Sequence, residues 1–144
     1  MKCNDFAIGA HVALMVDRSE HIMIGALAVL KAGGVFVPID IAAPKERVQY
    51  CLADSDCSIV LTEAWYLKSE GTVNGKTYLS MDDISGDGSQ NPARQRAIDE
   101  VIYMIYTSGT TGKPKGTLIY NRSLTNNVNW FKRQYELTPA DSTM

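Results

Sequence analysis

An alternation of short apolar runs with longer segments of helical spacing constrains the fold of this chain more than any other feature. Residues 12–16, 35–37 and 58–62 are runs of strand length and composition. The segments 19–33 and 44–54 lie between them and repeat their apolar residues at helical spacing. A strand–helix–strand–helix–strand order favours right-handed crossovers and a parallel sheet. We therefore predict an α/β fold with a partial, parallel-rich sheet and flanking helices.

The helix predicted over residues 19–33 carries apolar side chains around much of its circumference. Ser19 is a suitable N-cap, and Gly33 is a suitable residue to end the helix. A helix that is apolar on most of its sides needs packing partners on most of its sides. We therefore expect this helix to be mostly buried.

The composition changes in the second half of the chain. Residues 80–99 are mainly Asp, Ser, Gly, Asn and Gln, and are predicted to form a flexible surface loop that does not contribute to a core. The pattern predicts a short edge strand at 77–80, strands at 101–107 and 117–120, and a helix over 123–137. The apolar stripe of that helix consists of Leu124, Val128, Phe131 and Tyr135.

Charge and hydropathy argue against two classes of partner. The formal net charge is only −2, and the Lys and Arg residues are scattered rather than clustered, so we expect no nucleic-acid partner. The longest apolar stretch, residues 22–39, is interrupted by Lys31 and by a pair of glycines. We therefore expect no membrane-spanning segment.

The three cysteines are Cys3, Cys51 and Cys57, and their spacing contains no CxxC pair. An odd number of cysteines without that spacing is typical of a reduced, cytoplasmic protein, and it predicts no zinc or other metal site.

His11 and His21 have no nucleophile beside them in the sequence and are expected to have surface or capping roles. Asp40 follows a strand, where we interpret it as a turn residue.

The segment 106–116 reads Y-T-S-G-T-T-G-K-P-K-G and directly follows a predicted strand. Glycines allow backbone N–H groups to approach an anion, hydroxyls donate hydrogen bonds, and lysines supply charge. The candidate phosphate-binding residues are Thr107, Ser108, Gly109, Thr110, Thr111, Gly112, Lys113, Lys115 and Gly116. The spacing is not that of a Walker A loop, because only two residues separate the first glycine from Gly-Lys. A plain hairpin connection between strands is the alternative interpretation.

The same segment resembles, over its whole length, the signature loop of the acyl- and aminoacyl-adenylate-forming superfamily. Residues 30–40, L-K-A-G-G-V-F-V-P-I-D, resemble the LKAGxAYVPID element of nonribosomal peptide synthetase adenylation domains. Residues 12–19 and 137–141 are also similar to that family. Two positions depart from its pattern, because Asn121 stands where histidine is usual and Thr117 where valine is commoner.

The resemblance implies an ATP-dependent, AMP-forming ligase. In this family a substrate carboxylate attacks the α-phosphorus of ATP, pyrophosphate leaves, and the acyl group passes to a carrier-protein or coenzyme A thiol. The loop would stabilise the leaving phosphates, with Mg²⁺ sharing the charge. Lys115 ranks above Lys113 as the phosphate contact, because Pro114 and Gly116 restrict its surroundings. The implied partners are ATP and a peptidyl carrier protein.

Against the family pattern, residues 1–144 correspond to a truncated N-terminal portion of an adenylation domain, part of its large N-terminal subdomain. The motifs for adenine, ribose, the metal-binding acid and the catalytic lysine would all follow residue 144. We therefore assign no catalytic residue and expect the isolated chain to bind ATP weakly at most and to be inactive alone. A complementary C-terminal fragment and self-association through uncovered apolar surface are expected. The alternative is a non-catalytic α/β module that binds a phosphate-bearing ligand or a partner.

Overall fold

The computed structural model describes residues 7–84, 95–108, 112–138 and 140–141. This part of the chain contains six β-strands, four α-helices and a 3-10 helix at Met81–Asp83. In chain order the elements are β1 His11–Met15, α1 Glu20–Ala32, β2 Val35–Pro38, α2 Lys45–Asp54, β3 Ile59–Thr62, α3 Ala64–Glu70, β4 Thr77–Ser80, β5 Val101–Thr107, β6 Lys115–Tyr120 and α4 Asn121–Gln134.

The six strands form one sheet in the order β4-β3-β1-β2-β5-β6. Every neighbouring pair is parallel except β5 and β6, which are antiparallel. The predicted α/β fold with a parallel-rich sheet is confirmed, as is the short edge strand at 77–80. The antiparallel pair arises because β5 and β6 are joined by a short connection, whereas each parallel pair along β1, β2 and β3 needs a helical crossover.

The sheet has a packed apolar layer on each face. On one face Met15, Val37 and Leu52 lie in a cluster that α2 covers, and all three are almost fully buried. On the other face Leu14 and Val29 belong to a second cluster, which α1 covers. The alternation of β1 side chains between the two faces explains why its whole run is apolar, since a central strand of a parallel sheet is buried on both sides.

Helix α1 begins and ends where the sequence predicts, but it is less buried than expected. The Ser19 hydroxyl accepts a hydrogen bond from the His21 N–H at 3.3 Å, and Gly33 ends the helix. The expectation that α1 is mostly buried is wrong, because only Gly25, Ala26 and Val29 are buried. The apolar side chains on the remaining surface are Ile22, Met23, Ile24 and Leu27, which are 36–62% exposed. The sheet covers one side of α1, and no described residue buries the other.

The stretch 80–99 also departs from the predicted loop at its two ends, while residues 85–94 lie outside the described part of the chain. Met81 is only 8% exposed and packs in the cluster beneath α1. Arg96 donates hydrogen bonds to the carbonyls of Leu30 and Gly34, at the end of α1. The Leu30 carbonyl also accepts the Gly33 N–H, so the guanidinium adds further donors at the helix end, where the last carbonyls have no regular helical partner. The prediction that the whole stretch stays out of the core is therefore wrong.

Helix α4 forms where a helix was predicted, and its apolar stripe is largely exposed. None of its residues is buried, and Val128, Phe131 and Tyr135 are 55%, 45% and 61% exposed. The rings of Phe131 and Tyr135 stack on each other at 5.7 Å between centroids. The stripe is therefore an apolar face that no other described part of the chain buries. Within the described ranges, the chain has no helix of the length and apolar character that crossing a membrane requires.

Candidate functional site

The carboxyl ends of β1 to β5 meet at one edge of the sheet, because these strands are all parallel. Open α/β sheets bind ligands outside this edge. The connections that begin there include Asp17 after β1, Asp40 after β2, Glu63 after β3 and Ser108 after β5. The segment 106–116 therefore starts at the edge of the sheet where a ligand is expected.

The two limbs of the segment 106–116 are held together by the antiparallel ladder. Thr107 ends β5 and Lys115 begins β6, and their Cα atoms are register partners, as are those of Tyr106 and Gly116. The structure therefore brings the Thr107 hydroxyl and the Lys115 ammonium to the same end of one hairpin. Gly109, Thr110 and Thr111 lie outside the described residues, so their sequence-based assignment stays a prediction.

Two glycines of the segment meet specific backbone requirements. Gly112 has φ of +81°, in the left-handed region that other residues seldom adopt. At Gly116, a Cβ atom would lie 2.8 Å from the Met104 sulfur, so a side chain there would push into β5. The turn at Gly112 therefore favours glycine whether or not a ligand binds, and Gly116 leaves room for the Met104 side chain of β5.

The two lysines of the segment differ in their surroundings. The Lys113 Nζ lies 6.0 Å from the centroid of the Tyr50 ring, within the range of a cation–π contact. Lys115 is exposed, and among the described residues no hydrogen bond or ion pair engages its ammonium. Lys113 is thus directed to the protein, whereas the Lys115 charge is available to a ligand.

Asn121, which departs from the family pattern, has a structural role here. Its backbone N–H donates to the Glu100 carbonyl at 2.8 Å, and its side-chain amide donates to the Ala97 carbonyl at 3.2 Å. Asn121 begins α4, so these bonds tie the start of the helix to the segment before β5. The side chain supplies hydrogen bonds to backbone and has no titratable proton.

The two histidines and Asp40 all have hydrogen-bond partners within the protein. The Nδ1 of His11 lies 2.6 Å from the Ser55 carbonyl, which joins β1 to the end of α2. A carboxylate oxygen of Asp40 accepts the Ala42 N–H at 2.9 Å, as expected of a turn residue. His21 belongs to a hydrogen-bonded arrangement around a buried carboxylate, which the sequence did not indicate.

That arrangement is centred on Glu63, which is only 7% exposed. Its carboxylate accepts hydrogen bonds from His21 Nδ1 at 2.9 Å, Trp65 Nε1 at 2.9 Å and the Asp17 N–H at 3.2 Å. Burial alone would raise the pKa of Glu63, but the three donors together hold it below its ordinary value. The hydrogen bond to Glu63 raises the pKa of His21, even though partial burial opposes this. The pair joins the start of α1 to the end of β3.

This pair predicts a pH-dependent contribution to stability. Because the pKa of His21 is raised in the folded protein, its protonated form stabilises the fold at pH values below 6.5, its pKa in the unfolded chain. This stabilisation is lost as the pH rises through the pKa of His21 in the folded protein. Because the pKa of Glu63 is lowered in the folded protein, its ionised form stabilises the fold at pH values above 4.5, its pKa in the unfolded chain. This stabilisation is lost as the pH falls through the pKa of Glu63 in the folded protein. We expect the melting-temperature difference between wild type and His21→Asn to shrink as pH rises from about 5.5 to about 8.5. A difference that does not change with pH would contradict the pairing.

Comparisons with known proteins agree with the geometry. The sequence model of a family described as AMP-binding enzyme matches residues 2–144. Gramicidin S synthase 2 of Brevibacillus brevis is 40% identical over 134 residues, which are 92% of this chain and 3% of that protein. Surfactin synthase subunit 2 of Bacillus subtilis (strain 168) is 39% identical over 135 residues, which are 92% of this chain and 4% of that protein.

Among solved structures, the AMPPNP-bound form of the nonribosomal peptide synthetase FmoA3 superposes with a TM-score of 0.85 and 28% identity. The match covers 96% of this chain and 14% of that one. The chain thus spans a small part of the length of the proteins it matches. Because the family model covers nearly every residue, the chain belongs to the AMP-binding enzyme family.

Proposed function

We propose that this chain is the N-terminal portion of an amino-acid-activating, aminoacyl-adenylate-forming ligase domain of nonribosomal peptide synthesis. The observation that carries the proposal is the hairpin at the carboxyl edge of the sheet, where Thr107 and the exposed Lys115 flank a Gly- and Thr-rich connection. The sequence similarity to gramicidin and surfactin synthases supports the same activity. Two unpaired, buried thiols, Cys51 and Cys57, are consistent with a cytoplasmic protein.

In this proposal the hairpin connection binds the ATP phosphates. The residues assigned to it are Thr107, Ser108, Gly109, Thr110, Thr111, Gly112, Lys113, Lys115 and Gly116. Charge-assisted hydrogen bonds contribute about 1.5 to 3 kcal/mol each, and three or four of them suffice for weak triphosphate binding. Negative charge grows on the β- and γ-phosphates as pyrophosphate leaves, so the same donors bind the transition state more tightly than ground-state ATP.

Mg²⁺ would enter with the nucleotide in this proposal. The described residues contain no cluster of three or more His, Cys, Asp or Glu side chains that could hold a metal ion by themselves. A metal bound mainly through phosphate oxygens needs few protein ligands, so the hairpin fits a magnesium nucleotide better than a free ion. The metal would add positive charge beside the phosphates.

The remaining parts of the reaction need partners beyond the described residues. A complementary C-terminal fragment would supply the nucleoside contacts, and a peptidyl carrier protein would receive the acyl group. The exposed apolar faces of α1 and α4 support a partner or self-association, because contiguous apolar surface of this kind is seldom left in contact with water.

Calorimetry and pyrophosphate exchange with the purified chain test the proposal. We expect saturable binding of ATP with magnesium, with a Kd on the order of 1 mM, because phosphate contacts act without nucleoside contacts. We also expect no amino-acid-dependent pyrophosphate exchange by the chain alone. No ATP binding by a folded sample would overturn the phosphate-binding assignment. Exchange by the chain alone would overturn the assignment of a partial active site.

A non-catalytic phosphate-binding module is the second candidate. Asn121 favours it, because this side chain is committed to the Ala97 carbonyl and cannot transfer a proton. An experiment that adds a protein carrying the remainder of an adenylation domain distinguishes the ligase from the non-catalytic module. Exchange activity in the mixture supports the ligase, whereas ATP binding without exchange in the mixture supports the module.

A further inference from the structure

The phosphate-binding hairpin is attached to α2 by a hydrogen bond between side chains that are distant in sequence. The Tyr106 hydroxyl donates to a carboxylate oxygen of Asp54 at 2.7 Å. Tyr106 immediately precedes Thr107 at the end of β5, and Asp54 is the last residue of α2. Burial raises the pKa of the Tyr106 phenol, and the neighbouring carboxylate raises it further. The phenol therefore remains a hydrogen-bond donor at any physiological pH.

The other limb of the hairpin contacts the same turn of α2. The Lys113 ammonium lies over the ring of Tyr50, which is one helical turn before Asp54. The Tyr50 hydroxyl also donates to Asp54, through the second carboxylate oxygen at 3.5 Å. Tyr50 and Asp54 thus form a single surface, which we name the α2 platform, and residues on both sides of the hairpin connection rest on it.

The α2 platform is itself fixed by the core. Val48, Cys51 and Leu52 of the same helix are 0–5% exposed and pack against the sheet. By contrast, β6 lies at the edge of the sheet and has only β5 as a neighbouring strand. A hairpin at an edge bends readily, so contacts to a packed helix add a restraint that its own ladder does not supply.

We propose that Tyr50 and Asp54 position the phosphate-binding hairpin by holding Tyr106 on one limb and Lys113 on the other. This inference rests on the proposed phosphate-binding function. It assigns Tyr50, Asp54 and Tyr106 as positioning residues, whereas Lys113 belongs to the phosphate-binding residues that they hold in place. Holding both limbs lowers the conformational entropy that phosphate binding would otherwise cost, so the contacts raise affinity without touching the ligand. The Tyr50 and Tyr106 hydroxyls both donate to the Asp54 carboxylate. These two hydrogen bonds also direct the negative charge of Asp54 away from an approaching phosphate.

The test compares Tyr106→Phe with the matched control Tyr103→Phe. Both remove one hydroxyl from β5, and the Tyr103 ring stacks on Phe36 on the other face of the sheet. At a temperature where every variant is folded, we expect Tyr106→Phe to weaken binding of ATP with magnesium about three- to tenfold. Tyr103→Phe should bind like wild type.

Hydrogen–deuterium exchange provides a readout that does not depend on binding. In Tyr106→Phe we expect faster exchange in residues 104–108 and 112–118, with unchanged exchange in β1 and β3. Unchanged exchange in the hairpin, or equal acceleration by Tyr103→Phe, would overturn the positioning role. Faster hairpin exchange together with wild-type affinity would also overturn it. If wild type binds no ATP while the exchange result holds, the proposed function fails and the anchoring of the hairpin to the α2 platform stands.

Discussion

Lys115→Ala is expected to weaken binding of ATP with magnesium by roughly tenfold or more, the largest effect of any single loop substitution. Lys115 is exposed at the start of β6, where it is the register partner of Thr107 at the loop end of the hairpin. Lys113→Ala should reduce affinity less, because that ammonium rests on the Tyr50 ring and is less available to a ligand. Titration calorimetry of the two variants measures the difference.

Lys45→Ala is the matched control for net charge. Lys45 makes a 3.9 Å ion pair with Glu70 on exposed surface, so its loss removes one positive charge from the protein without touching the hairpin. We expect this variant to bind ATP as wild type does. If Lys113→Ala is more damaging than Lys115→Ala, or if Lys45→Ala is as damaging as either, then Lys115 is not the principal phosphate contact.

The second large effect concerns association of the chain with itself. At a few tens of micromolar, where uncovered apolar surface commonly causes association, we expect sedimentation velocity to detect species larger than a monomer. The double variant Val128→Gln/Phe131→Gln removes the centre of the apolar stripe of α4, which is half exposed. It should weaken association by about tenfold or more, since buried aromatic side chains dominate the energy of protein interfaces.

Polar residues elsewhere on α4 provide the control. Asn126→Gln/Asn129→Gln makes the same number of changes on the same helix without altering its apolar stripe. This variant should associate as wild type does. A monomeric wild type at the same concentration, or equal effects of the two double variants, would show that the stripe does not mediate self-association.

The elements of the fold could be predicted because each one depends on a local pattern. The apolar run of β1, the Ser19 cap and the Gly33 end of α1 are features of a few neighbouring residues. The Gly-, Thr- and Lys-rich segment 106–116 was equally evident, since its residues are contiguous, and its binding of phosphate stays a prediction. The predicted strands and helix ends hold in the structure because the packing of the sheet does not oppose them.

The contacts around the site could not be predicted, because they join residues that are far apart in the sequence. His21 and Glu63 are separated by 42 positions, and Tyr106 and Asp54 by 52. Neither Glu63 nor Asp54 belongs to a motif, and only the folded sheet brings them to their partners. The burial of α1 was overestimated for a related reason. Apolar side chains around a helix show that it needs packing partners, but they do not show whether the same chain or another chain provides them.

The reversal of direction at β6 has a consequence for the order of folding. β5 and β6 are adjacent in sequence and close as a hairpin, which forms in about 1–10 µs in isolated peptides. Docking of that hairpin onto β2 brings Phe36 to Tyr103 and closes a loop of more than sixty residues, which is much slower. The phosphate-binding hairpin should therefore be formed early as a local unit, and its attachment to the parallel sheet should limit the rate at which the chain folds.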